Sequence, residues 1–276
     1  MTMEYSNFFF DATSSDIFKK FAAKNDIYSI DKIENIVKFI TDNGLTVPLI
    51  SQNVSPNDIS ITSKNYRETI SAAGLSSRSR ATLLVLESLV GDRRIEDIKI
   101  HCAEALSGFS LKLRGIFPKL ICTEYSTDED VISKLYPIPI ADLSDLDFPD
   151  DSFDFQVSND VLEHVPDISI CLRESKRILK FDGHAIFTVP FDVNAEKNSV
   201  RAILENGELK HLKPPDYHGD PLSKDGVLVF CIPGWEIINQ AMSAGFSSAF
   251  IRFVSSEKHG IVGADSTGIL VVVCKK

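Results

Sequence analysis

The chain has 276 residues, 43% of them hydrophobic and 25% charged, with a formal net charge of −10, which suits one large α/β domain with an appendage. The negative balance argues against a broad nucleic-acid-binding face, and no apolar run approaches the roughly 20 residues of a membrane span. The opening residues MTMEYSNFFFDATSSD lack the basic start and long apolar core of an export signal, so a cytoplasmic location is expected.

In chain order, the Phe8-Phe9-Phe10 triplet reads as a packing anchor. Residues 11 to 43 predict helices. Thr13 or Ser14 would cap the first, and Asp31 the second, which ends at Asn43-Gly44. Residues 45 to 67, rich in Ser, Asn and Pro, read as loop with room for one short strand. The leucine-rich segment Ser77 to Val90 predicts a helix stopped by Gly91. Arg78 and Arg80 stand at its start, where the helix dipole disfavours a cation. A solvated face is the simpler account of them, an acidic partner the alternative.

Ile98 to Ala103 predicts a strand, followed by the loop Glu104 to Ser110, a helix to Gly115, and a strand from Leu120 to Thr123 that ends at Glu124-Tyr125. Strand, turn, helix, strand and acid within about 30 residues make a dinucleotide-type βαβ unit. The loop has no GxGxxG, and Gly108 is its one glycine. A pyrophosphate needs several glycines so that backbone N–H groups can close on it, which argues against NAD. Adenosine without phosphate, as in S-adenosylmethionine, suits a loop holding an acid, one glycine and a small polar residue such as Ser107.

Between Tyr136 and Phe191 three apolar runs end in polar or turn residues: Ile138 to Ala141 at Asp142, Phe153 to Val157 at Ser158-Asn159-Asp160, and Ala185 to Val189 at Pro190. They read as parallel strands whose carboxyl ends carry a ligand. Residues 192 to 232 are polar and too long for a simple connection, so they predict a functional insertion. A helix from Glu236 to Ser243 and strands Phe250 to Val254 and Ile269 to Cys274 close the chain. The cysteines, Cys102, Cys122, Cys171, Cys231 and Cys274, are scattered with no CxxC pair. They predict reduced core thiols and no metal site.

The block DLSDLDFPDDSFDFQVSNDVLEHVPD, the amphipathic segment with Leu172, Glu174, Arg177, Ile178 and Leu179, and FDGHAIFTVPF resemble the class I S-adenosylmethionine-dependent methyltransferases, and within them the type 11 methyltransferase domain. PPDYHGDP and GWEIINQAMSAGF are similar to a bacterial subgroup found among glycan and secondary-metabolite genes. The resemblance covers about residues 76 to 276. It implies a Rossmann-like α/β fold with a seven-stranded, mostly parallel sheet, six strands parallel and the last antiparallel, and helices on both faces. Residues 1–75 would be a small helical or irregular segment and residues 192–232 an insertion in the methyltransferase domain.

By position, the resemblance implies that Glu104, Ser107 and Gly108 line the methionine end of S-adenosylmethionine. Glu124 would take the ribose hydroxyls, with Tyr125 beside it, and Asp142 the adenine amino group, with Leu143 against the ring. Asn159, Asp160 and Val161 would wall the site, and Gly183 would stop a helix. His164, placed at a helix start, and His218 in the insertion are the candidate bases, and Tyr217 and Asp220 the candidate substrate contacts. His101 and His184 read as core residues, His259 as a loop residue with no visible partner, and Asp145, Asp147, Asp150 and Asp151 as a solvated turn. The implied activity is methyl transfer to an O- or N-nucleophile of a small-molecule or sugar-containing acceptor, in a protein that could be a homo-oligomer. The alternative is a catalytically weak or inactive relative that serves as a binding partner.

Overall fold

The computed structural model describes residues 7–220 and 222–276; the side chain of Asp220 lies outside that description. The strands of the main sheet, in chain order, are β1 (Phe8–Ala12), β2 (Lys99–Cys102), β3 (Lys119–Cys122), β4 (Phe153–Asn159), β5 (Leu179–Thr188), β6 (Ser248–Ser255) and β7 (Ile269–Lys275). The longer helices are α1 (Ser15–Asn25), α2 (Ile30–Asn43), α3 (Ser77–Val90), α4 (Gly108–Ile116), α5 (Ile168–Ile178) and α6 (Glu236–Ser243). The hydrogen-bonded strand order is β1-β6-β7-β5-β4-β2-β3, a seven-stranded mixed sheet of the Rossmann-like class with a mostly parallel core; beside the expected antiparallel last strand, β1 and β6 form a second antiparallel pair. Two compact units divide the chain: residues 1–93 with 251–271, and residues 94–250 with 272–276. No helix of the described residues is long and apolar enough to cross a membrane.

In the second unit β2, β3, β4 and β5 pair in parallel, and Val272–Lys275 of β7 runs antiparallel to β5. The core strands are apolar on both faces, as a sheet covered by helices requires: Phe153, Phe155, Val157, Ala185, Ile186 and Phe187 are all buried. The strand expected over Ile138 to Ala141 is reduced to one parallel bridge between Ile140 and Glu124. Pro137 and Pro139 have no N–H to give to a ladder. The seventh place in the sheet is taken instead by β1, formed by the phenylalanine triplet, which pairs with Ile251–Ser255.

Gly183 does not stop a helix. Helix α5 gives way directly to β5, and Lys180–Gly183 bulge out between the pairs Phe153–Leu179 and Phe155–His184. A Cβ on Gly183 would lie 2.8 Å from the Lys180 carbonyl oxygen and 3.0 Å from that of Asp154, so the close approach demands glycine.

Caps follow local chemistry. Ser14 Oγ accepts from the Ile17 amide as expected, whereas α2 is capped by Ser29, two residues before Asp31. Helix α3 covers the expected residues. Arg80, however, is neither solvated nor anion-binding. It is fully buried and donates to the carbonyls of His259 (2.7 Å), Leu75 (2.7 Å), Gly260 (2.8 Å) and Ile70 (3.2 Å). Burial lowers its pKa to about 9, so it remains a cation at neutral pH. Arg78 pairs with Glu68 at 3.0 Å. His259 is buried too, and its Nδ1 bonds the Thr46 carbonyl. Residues 45–47 with 52–54, and 59–61 with 70–72, form short ribbons, so the segment 45–67 holds three short strands where loop with one was expected. In the acidic turn, Asp150 pairs with Arg177 at 2.9 Å and Asp151 with Lys276 at 2.7 Å.

All five cysteines are buried free thiols. His101 is a satisfied core residue: Nε2 lies 3.0 Å from Thr123 Oγ1, and the Gln156 amide donates to Nδ1 at 3.2 Å. His184 is only half-buried and stacks on Phe155. Burial lowers the His101 pKa to about 4. A folded-state pKa below the unfolded 6.5 means stability is full above pH 6.5 and is lost on acidification through pH 4, by about 3 kcal/mol. Urea unfolding at pH 7, 5.5 and 4 should show this loss, and His101→Gln should remove that part of it. Equal pH slopes in the two proteins would refute the assignment.

Candidate active site

The carboxyl ends of β2, β3 and β4 carry Glu104, Glu124 and Asp160, and Asp142 follows the Ile140 bridge. All four are half-exposed. Glu104 Oε1 accepts from the Asn159 backbone N–H (2.9 Å) and from its side-chain Nδ2 (2.7 Å), tying the tip of β2 to that of β4. Glu124 Oε1 accepts from the backbone N–H of Ala105 (2.7 Å) and Leu106 (2.9 Å), so the loop after β2 is held by the acid after β3. Asp142 Oδ1 accepts from the Ser144 N–H and hydroxyl, both at 2.7 Å. Tyr125 is exposed, and burial of its hydroxyl, then the Asp142 charge, raises its pKa. Leu143 is buried. Ser107 caps α4 by accepting from the Ser110 N–H (3.1 Å), and Gly108 is the first, exposed residue of that helix. Asp160 adopts a left-handed φ of 54° and accepts from Thr188 Oγ1 at 3.0 Å, and half-buried Val161 leads into the next turn.

Past β4 the chain makes a single 3₁₀ turn, Leu162–His164, and α5 starts only at Ile168, capped by Asp167. His164 therefore sits on that turn rather than at a helix start. The insertion is folded as three two-stranded ribbons, 199–200 with 231–232, 202–205 with 208–211, and 217–220 with 223–228. A register irregularity between His218 and Asp220 re-aims the bulged strand. Gly226, with φ 79°, lies within the second strand of the last ribbon, where a Cβ would meet the His218 carbonyl at 2.3 Å. Tyr217 is exposed and pairs with Leu228, while the side chain of Asp220 lies outside the described residues.

The ribbon brings His218 to the 3₁₀ turn. His164 Nδ1 is 2.9 Å from the Leu228 carbonyl, and the Phe230 N–H donates to the Glu163 carbonyl at 2.8 Å. The two imidazoles stand edge to face, 5.3 Å between centroids. Between them lies a residue that sequence reasoning passed over as a site residue, Glu163. It is fully buried, its Oε1 3.4 Å from His218 Nδ1 and 3.8 Å from His164 Nε2. The signal was present in the acid-His pair after β4. At 3.4 Å the His218 contact is at the far limit of hydrogen bonding, and neither Glu163 oxygen has a partner of normal geometry among the described residues. Burial pushes the Glu163 carboxyl up, and pairing with Glu163 raises His218. The Asp160 charge acts on both, which links the cluster to the tip of β4.

A methyltransferase-domain profile matches residues 118–187, the stretch from β3 to β5 that carries Glu124, Asp142, Asp160, Glu163 and His164. This stretch is a methyltransferase domain. The cofactor that the sequence implies for it is S-adenosylmethionine. A search of curated proteins finds no match. Among solved structures, the chain is similar to an S-adenosylmethionine-dependent methyltransferase from Mesorhizobium loti, with 16% identity over 71% of this chain and 98% of that one and a TM-score of 0.43. It is similar as well to a chain of the Haloferax volcanii complex containing the Trm112 methyltransferase activator (16% identity, 72% and 90% covered, TM-score 0.45). A third is the Burkholderia thailandensis 1,6-didemethyltoxoflavin-N1-methyltransferase (14%, 72% and 77%, TM-score 0.39).

The donor chemistry of the methyltransferase domain fits that cofactor. Its strand tips offer carboxylates, which accept hydrogen bonds and attract cations, and the cofactor brings hydroxyls, amino groups and a positive sulfur. The amides of Ala105 and Leu106, which a phosphate would require, are already bonded to Glu124. A cavity of about 250 Å³ elsewhere, lined by Phe39, Leu45, Val54 and Lys258 among others, contains no carboxylate or imidazole and has no part in this site.

Proposed function

We propose that this protein transfers a methyl group from S-adenosylmethionine to an oxygen or nitrogen of a small-molecule or sugar-containing acceptor. The observation that carries the proposal is the Glu163–His164–His218 cluster beside Asp160. O- and N-nucleophiles must lose a proton around the moment of attack, and these are the groups able to manage it. Residues 76–276 would form the catalytic portion, with the 192–232 insertion, which carries Tyr217 and Asp220, over the acceptor.

When bound, S-adenosylmethionine supplies a methyl group made electrophilic by a positively charged sulfur. Glu104 and Asn159 then orient its amino-acid end, Glu124 receives the ribose hydroxyls, and Asp142 receives the adenine amino group. Ser107, Gly108, Tyr125, Leu143, Asp160 and Val161 complete the walls. His218 and His164 hold the acceptor in line and draw off its proton, with the buried Glu163 fixing both imidazoles.

Calorimetry with S-adenosylmethionine, S-adenosylhomocysteine and NAD tests the cofactor half. The first two should bind and NAD should not. Asp142→Ala should weaken S-adenosylhomocysteine binding about tenfold, the value of one lost hydrogen bond. Unchanged affinity would show that the adenine lies elsewhere. Labelled-methyl screening of small-molecule pools tests the acceptor half.

A further inference from the structure

We infer that Glu163, His164 and His218 bind a divalent transition-metal ion of the zinc type. Their three ligand atoms lie within 4.8 Å of one another. In a tetrahedral site with bonds of about 2.0–2.2 Å, neighbouring ligand atoms stand about 3.3–3.5 Å apart. The distances from Glu163 Oε1 are 3.4 Å to His218 Nδ1 and 3.8 Å to His164 Nε2, the spacing of atoms around a shared ion.

Two further observations call for a cation there. Glu163 is fully buried, and neither of its oxygens has a hydrogen bond of normal geometry among the described residues; a buried carboxylate is ordinarily paired or metal-bound. His164 Nδ1 faces the Leu228 carbonyl at 2.9 Å, and a carbonyl can only accept, so Nδ1 carries the proton. In the neutral ring the Nε2 lone pair then points at Glu163, acceptor against acceptor, and a positive ion between them resolves the conflict. A backbone carbonyl holding the second nitrogen of a ligating histidine is the usual outer support of such sites. The ligands are two neighbours on one turn and a distant histidine on a ribbon, a spacing that matches no linear zinc motif, which is why no metal was expected from the sequence.

Two histidines and one carboxylate leave a coordination position open. With the ion bound the imidazole lone pairs are engaged, so the open position, in place of the free imidazoles, would take the acceptor's oxygen and ease loss of its proton to water; this second step rests on the methyltransferase reading, while ion binding does not. Zn²⁺ and Co²⁺, each alone, are titrated into the chain without cofactor, followed by calorimetry and by Co²⁺ visible absorption. One equivalent should bind, with the strong absorption of a four- or five-coordinate site. Since loss of an outer-shell partner already costs 10–100-fold, Glu163→Gln, His164→Gln and His218→Ala should each weaken binding by about 100-fold or more. Circular dichroism and S-adenosylhomocysteine affinity in the same variants show that they are folded. No binding, or binding that persists in all three variants, would overturn the site and leave a proton-sharing Glu–His cluster. Failure of S-adenosylhomocysteine to bind the metal-free chain would instead count against the methyltransferase reading.

Discussion

His218→Ala is expected to lower kcat by about 10²–10⁴-fold, the usual contribution of a positioned acid–base group, while S-adenosylhomocysteine binds as tightly as to the parent chain. The split follows from position. His218 comes from the insertion and meets Glu163, whereas the carboxylates proposed to hold the cofactor sit at the tips of β2, β3 and β4. The His218 side chain is itself 35% exposed and the preceding Tyr217 is exposed, so folding should survive. Single-turnover measurements with labelled cofactor read the chemical step directly. A variant with normal kcat would remove His218 from the reaction, and one that also lost cofactor affinity would mean the insertion shapes the adenosine site.

Arg80→Ala should cost about 3–5 kcal/mol of unfolding free energy, because it strands four carbonyls in the core as well as removing the cation. At about 2–4 °C per kcal/mol for a chain of this size, Tm should fall by roughly 10 °C. Arg80→Lys separates charge from shape. An ammonium restores the positive group but not the planar fork that reaches the carbonyls of Ile70, Leu75, His259 and Gly260 together, so most of the loss should remain. Scanning calorimetry of the three proteins decides it; a Lys variant as stable as the parent would mean that charge alone matters.

What the sequence revealed and what it hid divide along physical lines. Strands buried on both faces leave continuous apolar runs, so β2, β4 and β7 were legible near their true bounds, as was α3 with its leucines, whereas only the C-terminal part of β5 was. The run Ile138–Ala141 had the same apolar look, but Pro139 within it and Pro137 before it outweighed the pattern. β1 was hidden because three phenylalanines fit any buried element, and only pairing with Ile251–Ser255 makes them a strand. Arg80 was misread because nothing local tells a buried guanidinium from a solvated one; its carbonyl partners at His259 and Gly260 arrive from the far end of the chain. For the same reason His164 and His218 could be singled out separately, but their meeting around Glu163 depends on a ribbon whose register the sequence does not display.

The bond between Glu124 and the amides of Ala105 and Leu106 has a consequence for how fast and at what entropy a ligand is captured. A glycine-rich loop must be frozen around its guest, and each ordered residue subtracts from the affinity. Here the loop is stapled to a neighbouring strand tip in advance. Occupancy of the crevice should therefore carry little ordering penalty, and the segment should exchange its amide hydrogens slowly whether or not anything is bound.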